Sequence, residues 1–282
     1  MHISVLQDPI LELFKDKKLN SFIDATLGAA GHSLAMLKAH PELTCLIGFD
    51  RDPSALEIAR SLLPEGSILI HSNFRHLKRN VSTQVDGILF DIGVSSMQLD
   101  QAARGFSFMQ DGPLDMRMDS TQTLTAEDVV NSYPEDKLAN VIYEYGEEHA
   151  SRRIAKAIVQ ARRKERIDTT QRLVAVIETV LPRRGKIHPA TKTFQALRIE
   201  VNAELDSLKD ALDQALELLA PGGILAVISF HSLEDRIVKY HFRAQDKEQF
   251  LILTKKPTIA SDAECRANPR SRSAKLRAIQ KI

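Results

Sequence analysis

The chain has 282 residues, of which 43% are hydrophobic and 27% are charged, and its formal net charge is +1. Such a composition is ordinary for a globular protein of one large domain or two moderate ones. The two cysteines, Cys45 and Cys265, form no C-x-x-C motif, which argues against a disulfide framework and a zinc site, so no metal is predicted. No apolar stretch approaches the ~18 residues that span a bilayer, and the N-terminus lacks a signal-type layout. A cytoplasmic protein without a membrane partner is the expectation.

The first hundred residues alternate between short apolar runs and helical patterns, as in an open α/β sheet. The predicted strands are Ser21–Ile23, Leu43–Phe49 and Val85–Phe90, and the predicted helices cover 32–39, 53–62 and 74–79. Asp52 before Pro53 is a typical start for the second of these helices.

The pattern changes after residue 91. Residues 92–120 are rich in Gly, Asp, Met and Pro, and helical periodicity dominates from about 125 to 181. A long helix over roughly 193–219 is predicted to stop at Ala220-Pro221-Gly222-Gly223. Strands at Ile224–Ser229 and Phe250–Thr254 follow, with a helix to about Arg243 between them. The sheet is therefore predicted to resume after a helical insertion.

This division predicts a discontinuous domain of residues 1–100 and 205–282 and an inserted domain of residues 101–204. Charge is segregated along the chain: residues 101–150 hold ten acids and three bases, and residues 151–200 hold thirteen bases and four acids. The tail from Arg266 to Ile282 has six bases and no acid. Such segregation suits a polyanionic partner, although a solvated helix face remains the alternative for residues 152–166.

Three predicted strands end in polar or Gly-rich sequence: DATLGAAGH at 24–32, GFDRD at 48–52 and DIGVSS at 91–96. Ligands of open α/β sheets bind beyond the carboxyl ends of the strands, so these exits predict a binding crevice. Gly28 and Gly31 allow a tight turn into a helix, and Asp50 is suited to accept the hydroxyl hydrogens of a ribose. Turn capping by the acids is the competing interpretation.

The missing motifs narrow the choice of ligand. Neither G-x-x-x-x-G-K-[ST] nor G-x-G-x-x-G is present, so a triphosphate or a pyrophosphate lacks its usual cradle. S-adenosylmethionine has a ribose, no phosphate and two cationic groups, which suit the acidic side chains of Asp24, Asp50 and Asp91. S-adenosylmethionine is the predicted cofactor.

Four long segments carry a resemblance to a known family. They are DIGVSSMQLDQAARGFSFMQDGPLDMRMD (91–119), HPATKTFQALRIEVNAEL (188–205), LAPGGILAVISFHSLEDRIVK (219–239) and NPRSRSAKLR (268–277). In this order they make the chain resemble the ribosomal small-subunit RNA cytosine-N4 methyltransferases known as the MraW family. The resemblance implies a doubly wound class I methyltransferase sheet with an inserted all-helical domain that recognises substrate.

The resemblance also implies a set of cofactor contacts. They fall on Ala30, Gly31, His32, Asp50, Phe74, Asp91 and Gln98. Phe74 is suited to stack on adenine, although core packing is the competing role. Ala30 replaces a glycine common in the family, so the turn must either hold Ala30 at negative φ or accept strain.

The residues predicted to act on substrate lie at two strand exits and in the tail. Asp91 is the candidate for orienting the acceptor amine, and His231 is a candidate proton relay, although a histidine in such a turn is also a typical cap. Ser232, Glu234 and Asp235 either cap the next helix or contact substrate. Arg270 and Arg272 are predicted to reach RNA phosphates from an ordered turn, against the alternative of internal pairing with acids.

Together these expectations predict an enzyme that methylates N4 of a cytidine in small-subunit ribosomal RNA. It is expected to act on the assembled subunit, so that subunit and its RNA are the predicted partners. A methyltransferase for a protein or small molecule would not need the basic segments. A non-catalytic RNA-binding or cofactor-sensing module is the third alternative. A homodimer is left open.

Overall fold

The structure is a computed structural model that describes residues 4–183, 185 and 187–282. It divides into two compact units. The first runs to Gly93 and resumes from Leu205 to Ile282, and the second spans Val94–Glu204. No helix in the described part of the chain has both the length and the apolar character needed to cross a membrane.

A single mixed sheet forms the centre of the first unit, built over the described residues from eight strands. They are β1 Ser21–Asp24, β2 Cys45–Asp50, β3 Ile68–His71, β4 Val85–Asp91, β5 Leu219–Ser229, β6 Phe250–Ile252, β7 Thr258–Ile259 and β8 Lys275–Lys281. The order is β3-β2-β1-β4-β5-β8-β6, and β7 pairs with β8. Strands β1 to β5 are parallel, and β8 runs antiparallel to β5. The order reverses between β1 and β4, which confirms the doubly wound α/β class.

Apolar residues on both faces of the sheet build two cores. Neighbouring residues of one strand contribute to different cores, as Phe22 and Ile23 do in β1 and as Leu89 and Phe90 do in β4. This follows from the alternation of side chains along a strand, and it explains why these strands read as continuous apolar runs. The second unit has a separate core, to which Phe106, Leu138, Ile158 and Leu197 belong.

The helices follow in chain order. They are α1 Gln7–Phe14, α2 Gly31–Ala39, α3 Pro53–Leu62, α4 Leu77–Asn80, α5 Ser96–Asp100, α6 Ala126–Ser132, α7 Glu135–Gly146, α8 Ser151–Arg162, α9 Thr170–Val180, α10 Thr191–Asn202, α11 Glu204–Leu218, α12 Ser232–Ala244 and α13 Asp262–Ala267. Short 3₁₀ turns lie at Phe74–His76, Ala102–Arg104 and Pro269–Ser273. The predicted α3 is confirmed, and the Asp52 carboxylate accepts from the amide of Ser54 at its start.

The predicted long helix at 193–219 is wrong, because the structure has two helices there. Ala203 separates α10 from α11 in the left-handed conformation, with φ 46°. The side chain of the preceding Asn202 is held by the backbone of another segment, since it accepts from Met118 N at 2.8 Å and donates to Met116 O at 2.7 Å. These contacts join residues far apart in sequence, so helical periodicity alone did not reveal the break.

Candidate cofactor and substrate site

Three carboxylates stand at the carboxyl ends of neighbouring parallel strands in the first unit. Asp24, Asp50 and Asp91 are the last residues of β1, β2 and β4, and we call them the acidic edge. Hydrogen bonds tie these exits together. Ala25 N donates to Leu89 O at 2.9 Å, Leu27 N donates to Phe49 O at 2.9 Å, and Asp91 N donates to the side-chain oxygen Thr26 Oγ1 at 2.6 Å. The edge is therefore a fixed framework rather than three independent loops.

The turn between β1 and α2 contains two residues in the left-handed conformation. Gly28 has φ 50° and Ala30 has φ 61°, so the second of the two alternatives for Ala30 holds and the residue accepts a left-handed conformation. Gly31 has no space for a side chain, because a Cβ there would lie 2.2 Å from Ser4 Oγ. A Cβ on Gly28 would meet nothing within 4 Å, so the backbone is open on that side.

Asp50 is half-buried and binds two backbone amides. Its Oδ2 accepts from Gly28 N and its Oδ1 accepts from Asp52 N, both at 2.8 Å. Burial raises the pKa of Asp50, and the two amides oppose that shift. An ionised carboxylate has about four acceptor sites, so each oxygen keeps a further site for a ligand hydroxyl. This arrangement suits a pair of ribose hydroxyls beside the turn at Gly28.

His32 is buried among the carboxylates of the first unit. Its Nε2 lies 3.4 Å from Asp91 Oδ2, and Asp24, which accepts from Ser33 Oγ at 2.7 Å, is also close enough to interact. Burial lowers the pKa of His32, but Asp91, Asp24 and Glu264 outweigh it and the net shift is upward. Burial likewise raises the pKa of Asp24, against the opposing charge of His32. One buried acid, Asp24, and one partly exposed acid, Asp91, thus share one imidazole.

Phe74 packs in a core of the first unit, and Gln98 caps a helix of the second unit. Phe74 is 9% exposed and packs edge-on against Phe90, with ring centroids 5.4 Å apart, so its surroundings are those of a core residue. Gln98 belongs to the second unit, where it is buried and forms a reciprocal capping box with Ser95 at the start of α5. Adenine stacking by Phe74 and a cofactor contact from Gln98 stay predictions.

The exit of β5 contains the predicted segment from His231 to Asp235. Glu234 is fully buried, and its Oε2 accepts from Phe230 N at 2.8 Å and from His231 N at 3.3 Å. Its Oε1 lies 3.0 Å from His231 Nε2. Glu234 thus acts as a helix cap inside the protein, in contrast to the predicted substrate contact, whereas Ser232 is exposed. The proton-relay role of His231 stays a prediction.

Asp235 makes an internal pair that the sequence did not reveal. Its Oδ1 accepts from Arg277 Nε at 2.6 Å, and Lys275 Nζ lies 3.6 Å from Oδ2. These two bases lower the pKa of Asp235 against the effect of burial. The partners are 42 positions apart, so no local spacing signals the pair. Two of the six tail bases are therefore paired with this acid.

Arg270 and Arg272 lie in the 3₁₀ turn at Pro269–Ser273. Asn268 accepts from Arg270 N through its side chain, and Ser271 Oγ donates to Asn268 O at 2.7 Å. The turn is therefore ordered, as predicted. Arg272 is exposed and Arg270 is partly buried. Their contact with RNA phosphates stays a prediction.

The acidic edge fits the predicted cofactor. Both ring nitrogens of His32 and Oδ1 of Asp91 are buried without a hydrogen bond to any described residue. Buried polar atoms are normally satisfied, so these atoms mark a place where a polar ligand is expected. Asp50 offers acceptors for hydroxyls, and the surplus of carboxylates suits a cation. The sheet order and this edge define a class of protein, the class I S-adenosylmethionine-dependent methyltransferases.

Comparison with known proteins narrows the class to a family. The sequence matches the MraW methylase family over residues 1–282, and the chain belongs to that family. It is 50% identical over 292 residues to the ribosomal RNA small subunit methyltransferase H of Persephonella marina, which covers 100% of this chain and 99% of the relative. The protein of that name from Synechococcus elongatus is 50% identical over 287 residues, with 100% and 95% covered.

Solved structures support the fold. A protein from Clostridium thermocellum described as an rRNA methylase has a TM-score of 0.51 at 14% identity, with all of both chains covered. A methyltransferase-type protein from Streptococcus mutans, in complex with SAH, has a TM-score of 0.50 at 12% identity, again with full coverage. At these identities the likeness shows the fold alone.

Membership of the MraW methylase family, together with the fold, identifies the chain as an S-adenosylmethionine-dependent methyltransferase.

Proposed function

We propose that this enzyme methylates the N4 atom of a cytidine in the RNA of the small ribosomal subunit, and that it acts in the cytoplasm on the assembled subunit. The observation that carries the proposal is the full-length similarity, at 50% identity, to proteins named ribosomal RNA small subunit methyltransferase H. The acidic edge and the basic segments agree with a cationic cofactor and a polyanionic substrate.

The chemistry requires positioning more than covalent help. When bound, the cofactor supplies an activated methyl group on a sulfonium. The exocyclic amine of cytosine must lie in line with that methyl group, at near-attack distance and away from water. Oδ1 of Asp91 has no hydrogen bond to a described residue and stands at the end of β4, so it is the acceptor we assign to the amine. A carboxylate there orients the nitrogen lone pair by accepting one amine hydrogen.

The substrate is held by positive charge in this proposal. Residues 151–200 contain thirteen bases against four acids, and the tail adds Arg270 and Arg272 in an ordered turn. Guanidinium groups bind phosphate oxygens in a bidentate manner, so two arginines in one turn suit a folded RNA backbone. Ser232 is exposed beside the capped start of α12 and is the hydroxyl of that segment that we assign to substrate.

The test uses small ribosomal subunits that lack the modification. The enzyme is incubated with methyl-labelled S-adenosylmethionine and either intact subunits or their deproteinised RNA, and the RNA is digested to nucleosides. We expect label in N4-methylcytidine, with intact subunits as the better substrate. Label on another nucleoside or on a ribosomal protein would contradict the assigned acceptor. Equal rates on free RNA would contradict the assembled substrate while leaving the acceptor intact.

A further inference from the structure

Helix α8 of the second unit has an unusual distribution of charge. Its buried side, which includes Ile154, Ile158 and Val159, packs in the core of that unit. Its other side carries a row of exposed polar residues that continues just past the end of the helix: Arg153, Lys156, Gln160, Arg163 and Lys164. We call this row the basic face. At 1.5 Å per residue it extends about 16 Å.

The basic face is not neutralised within the protein. No ion pair joins its four bases to an acid in the described ranges 4–183, 185 and 187–282. Neighbouring bases are paired: Arg152 lies 4.0 Å from Asp136, and Arg166 pairs with Glu127. The four bases of the row are therefore the cations of this segment that no ion pair with a described acid neutralises.

The bases at the start of α8 act against the helix that carries them. The first turn of α8 contains Arg152 and Arg153 and no acid, although the positive end of the helix dipole favours acids there. No acid occurs anywhere from Ser151 to Lys164 to form the i,i+4 pairs that stabilise exposed helices. Like charges crowd the other end, where burial lowers the pKa of Arg162 and neighbouring Arg163 lowers it further. Helix stability therefore does not account for the bases in the first turn of α8 or for the lack of acids along it.

We propose that the basic face binds the phosphate backbone of the RNA substrate; this inference rests on the proposed function. A row of cations about 16 Å long, with no acid from Ser151 to Lys164, matches a chain of phosphates rather than a single anion. The contacts position the RNA without reading its sequence.

The first test removes the charges together. One variant carries four substitutions to alanine, at Arg153, Lys156, Arg163 and Lys164. Its affinity for isolated small subunits is measured at several salt concentrations. We expect the magnitude of the slope of log affinity against log salt to fall by roughly 3, since each single-strand phosphate contact contributes ~0.7. The KM for subunits should rise at least tenfold while kcat and the affinity for S-adenosylmethionine stay unchanged. The control removes the same charge from exposed lysines of the first unit: Lys18, Lys247, Lys255 and Lys256. If the control variant loses as much affinity for small subunits, the binding is not localised to the basic face.

The second test separates binding from stability in one position. Gln160→Glu places an acid four residues from both Lys156 and Lys164, but it also places that acid in the last turn of α8, where the helix dipole disfavours it. The two effects oppose each other, so the stability of the protein should change little. The same charge should weaken binding to small subunits about threefold, as expected for one charge ~7 Å from a phosphate in water. Gln160→Lys should strengthen binding to small subunits by a similar factor, again with little change in stability. Unaltered RNA affinity in both variants would show that the face is only solvated.

These outcomes can be told apart from failure of the proposed function. If the wild-type enzyme does not methylate small subunits, the proposed function is wrong. If it methylates them and all three variants match it in KM and salt slope, only the basic face is wrong. If the variants bind acidic peptides less well but subunits normally, the partner of the face is a protein, and the assignment to RNA fails.

Discussion

The acidic edge of the first unit and the basic face of the second carry charge in opposite ways. Each carboxylate of the edge has identified neighbours: Asp50 accepts hydrogen bonds from two backbone amides, and the imidazole of His32 lies beside Asp91 and Asp24. The bases of the face are exposed and unpaired among the residues described. Buried charges act individually because desolvation makes each contact costly to lose, whereas exposed charges are screened and act as a group.

This comparison predicts that single substitutions have large effects at the acidic edge and small effects at the basic face. Asp50→Ala should weaken S-adenosylmethionine binding by roughly ten- to a hundredfold, or ~1.5–3 kcal/mol, because charge-assisted bonds to the ribose are lost. Lys156→Ala should leave cofactor binding unchanged and reduce RNA affinity by only about threefold.

Calorimetry of S-adenosylmethionine binding measures the effect of Asp50→Ala. Asp50→Asn is the matched variant, since the amide oxygen can still accept from one backbone amide while the charge is removed. Unchanged cofactor affinity in Asp50→Ala would show that the ribose assignment is wrong.

Asp91 sharpens the comparison by separating binding from turnover at the edge. Asp91→Asn should stay folded, because the tie to Thr26 uses the backbone amide of Asp91 and not its side chain. We expect a loss of at least about tenfold in single-turnover rate at saturating cofactor, equivalent to ~1.4 kcal/mol of barrier. A preserved rate, with or without a change in cofactor affinity, would remove Asp91 from the role of orienting the amine.

The sequence predicts the acidic edge well because the edge is local. Each carboxylate follows an apolar run directly, so strand pattern and parallel pairing place Asp24, Asp50 and Asp91 together without tertiary information. The class and family of the protein were confirmed for the same reason, since the segments that carry them are continuous in sequence.

Long-range contacts explain what the sequence did not reveal. The left-handed Ala203 follows from bonds between Asn202 and a segment more than 80 positions earlier, and no glycine or proline marks it. The pair of Asp235 with Arg277 converts an expected surface charge into an internal one. Thr26, whose hydroxyl oxygen accepts from Asp91 N and so joins the end of β4 to the turn after β1, is part of no recognisable sequence motif. Such contacts are decided by packing rather than by local pattern.

Two alanines in the left-handed conformation offer a comparison of strain in the two units. Ala30, at φ 61°, is fully buried in the first unit, and Ala203, at φ 46°, is exposed in the second. Ala203→Gly should stabilise the protein by about 0.5–1 kcal/mol, because relief of strain exceeds the entropy cost of glycine. Ala30→Gly also loses a buried methyl group worth ~0.8 kcal/mol, so its net effect should lie near zero. Urea unfolding that shows equal gains would mean that this methyl contributes nothing.

The smallest expected effect concerns the pH dependence of the cofactor-free protein. His32 has a pKa raised above its ordinary 6.5, because Asp91, Asp24 and Glu264 outweigh burial. Its contribution to stability is therefore complete below the unfolded value and is lost as pH rises through the folded value. Relative to His32→Gln, the wild-type free energy of unfolding should fall between about pH 6 and the alkaline end of the titration.

His241 in α12 provides a control of opposite sign. Burial lowers the pKa of His241, and Asp213 offsets this only in part, so its contribution is lost as pH falls rather than as pH rises. Relative to His241→Gln, the wild-type free energy of unfolding should therefore increase with pH across neutrality. Urea unfolding at several pH values measures both differences. If the His32 difference is flat, or has the same sign as that of His241, the imidazole is not held protonated by the acidic edge, and its buried nitrogens need another explanation.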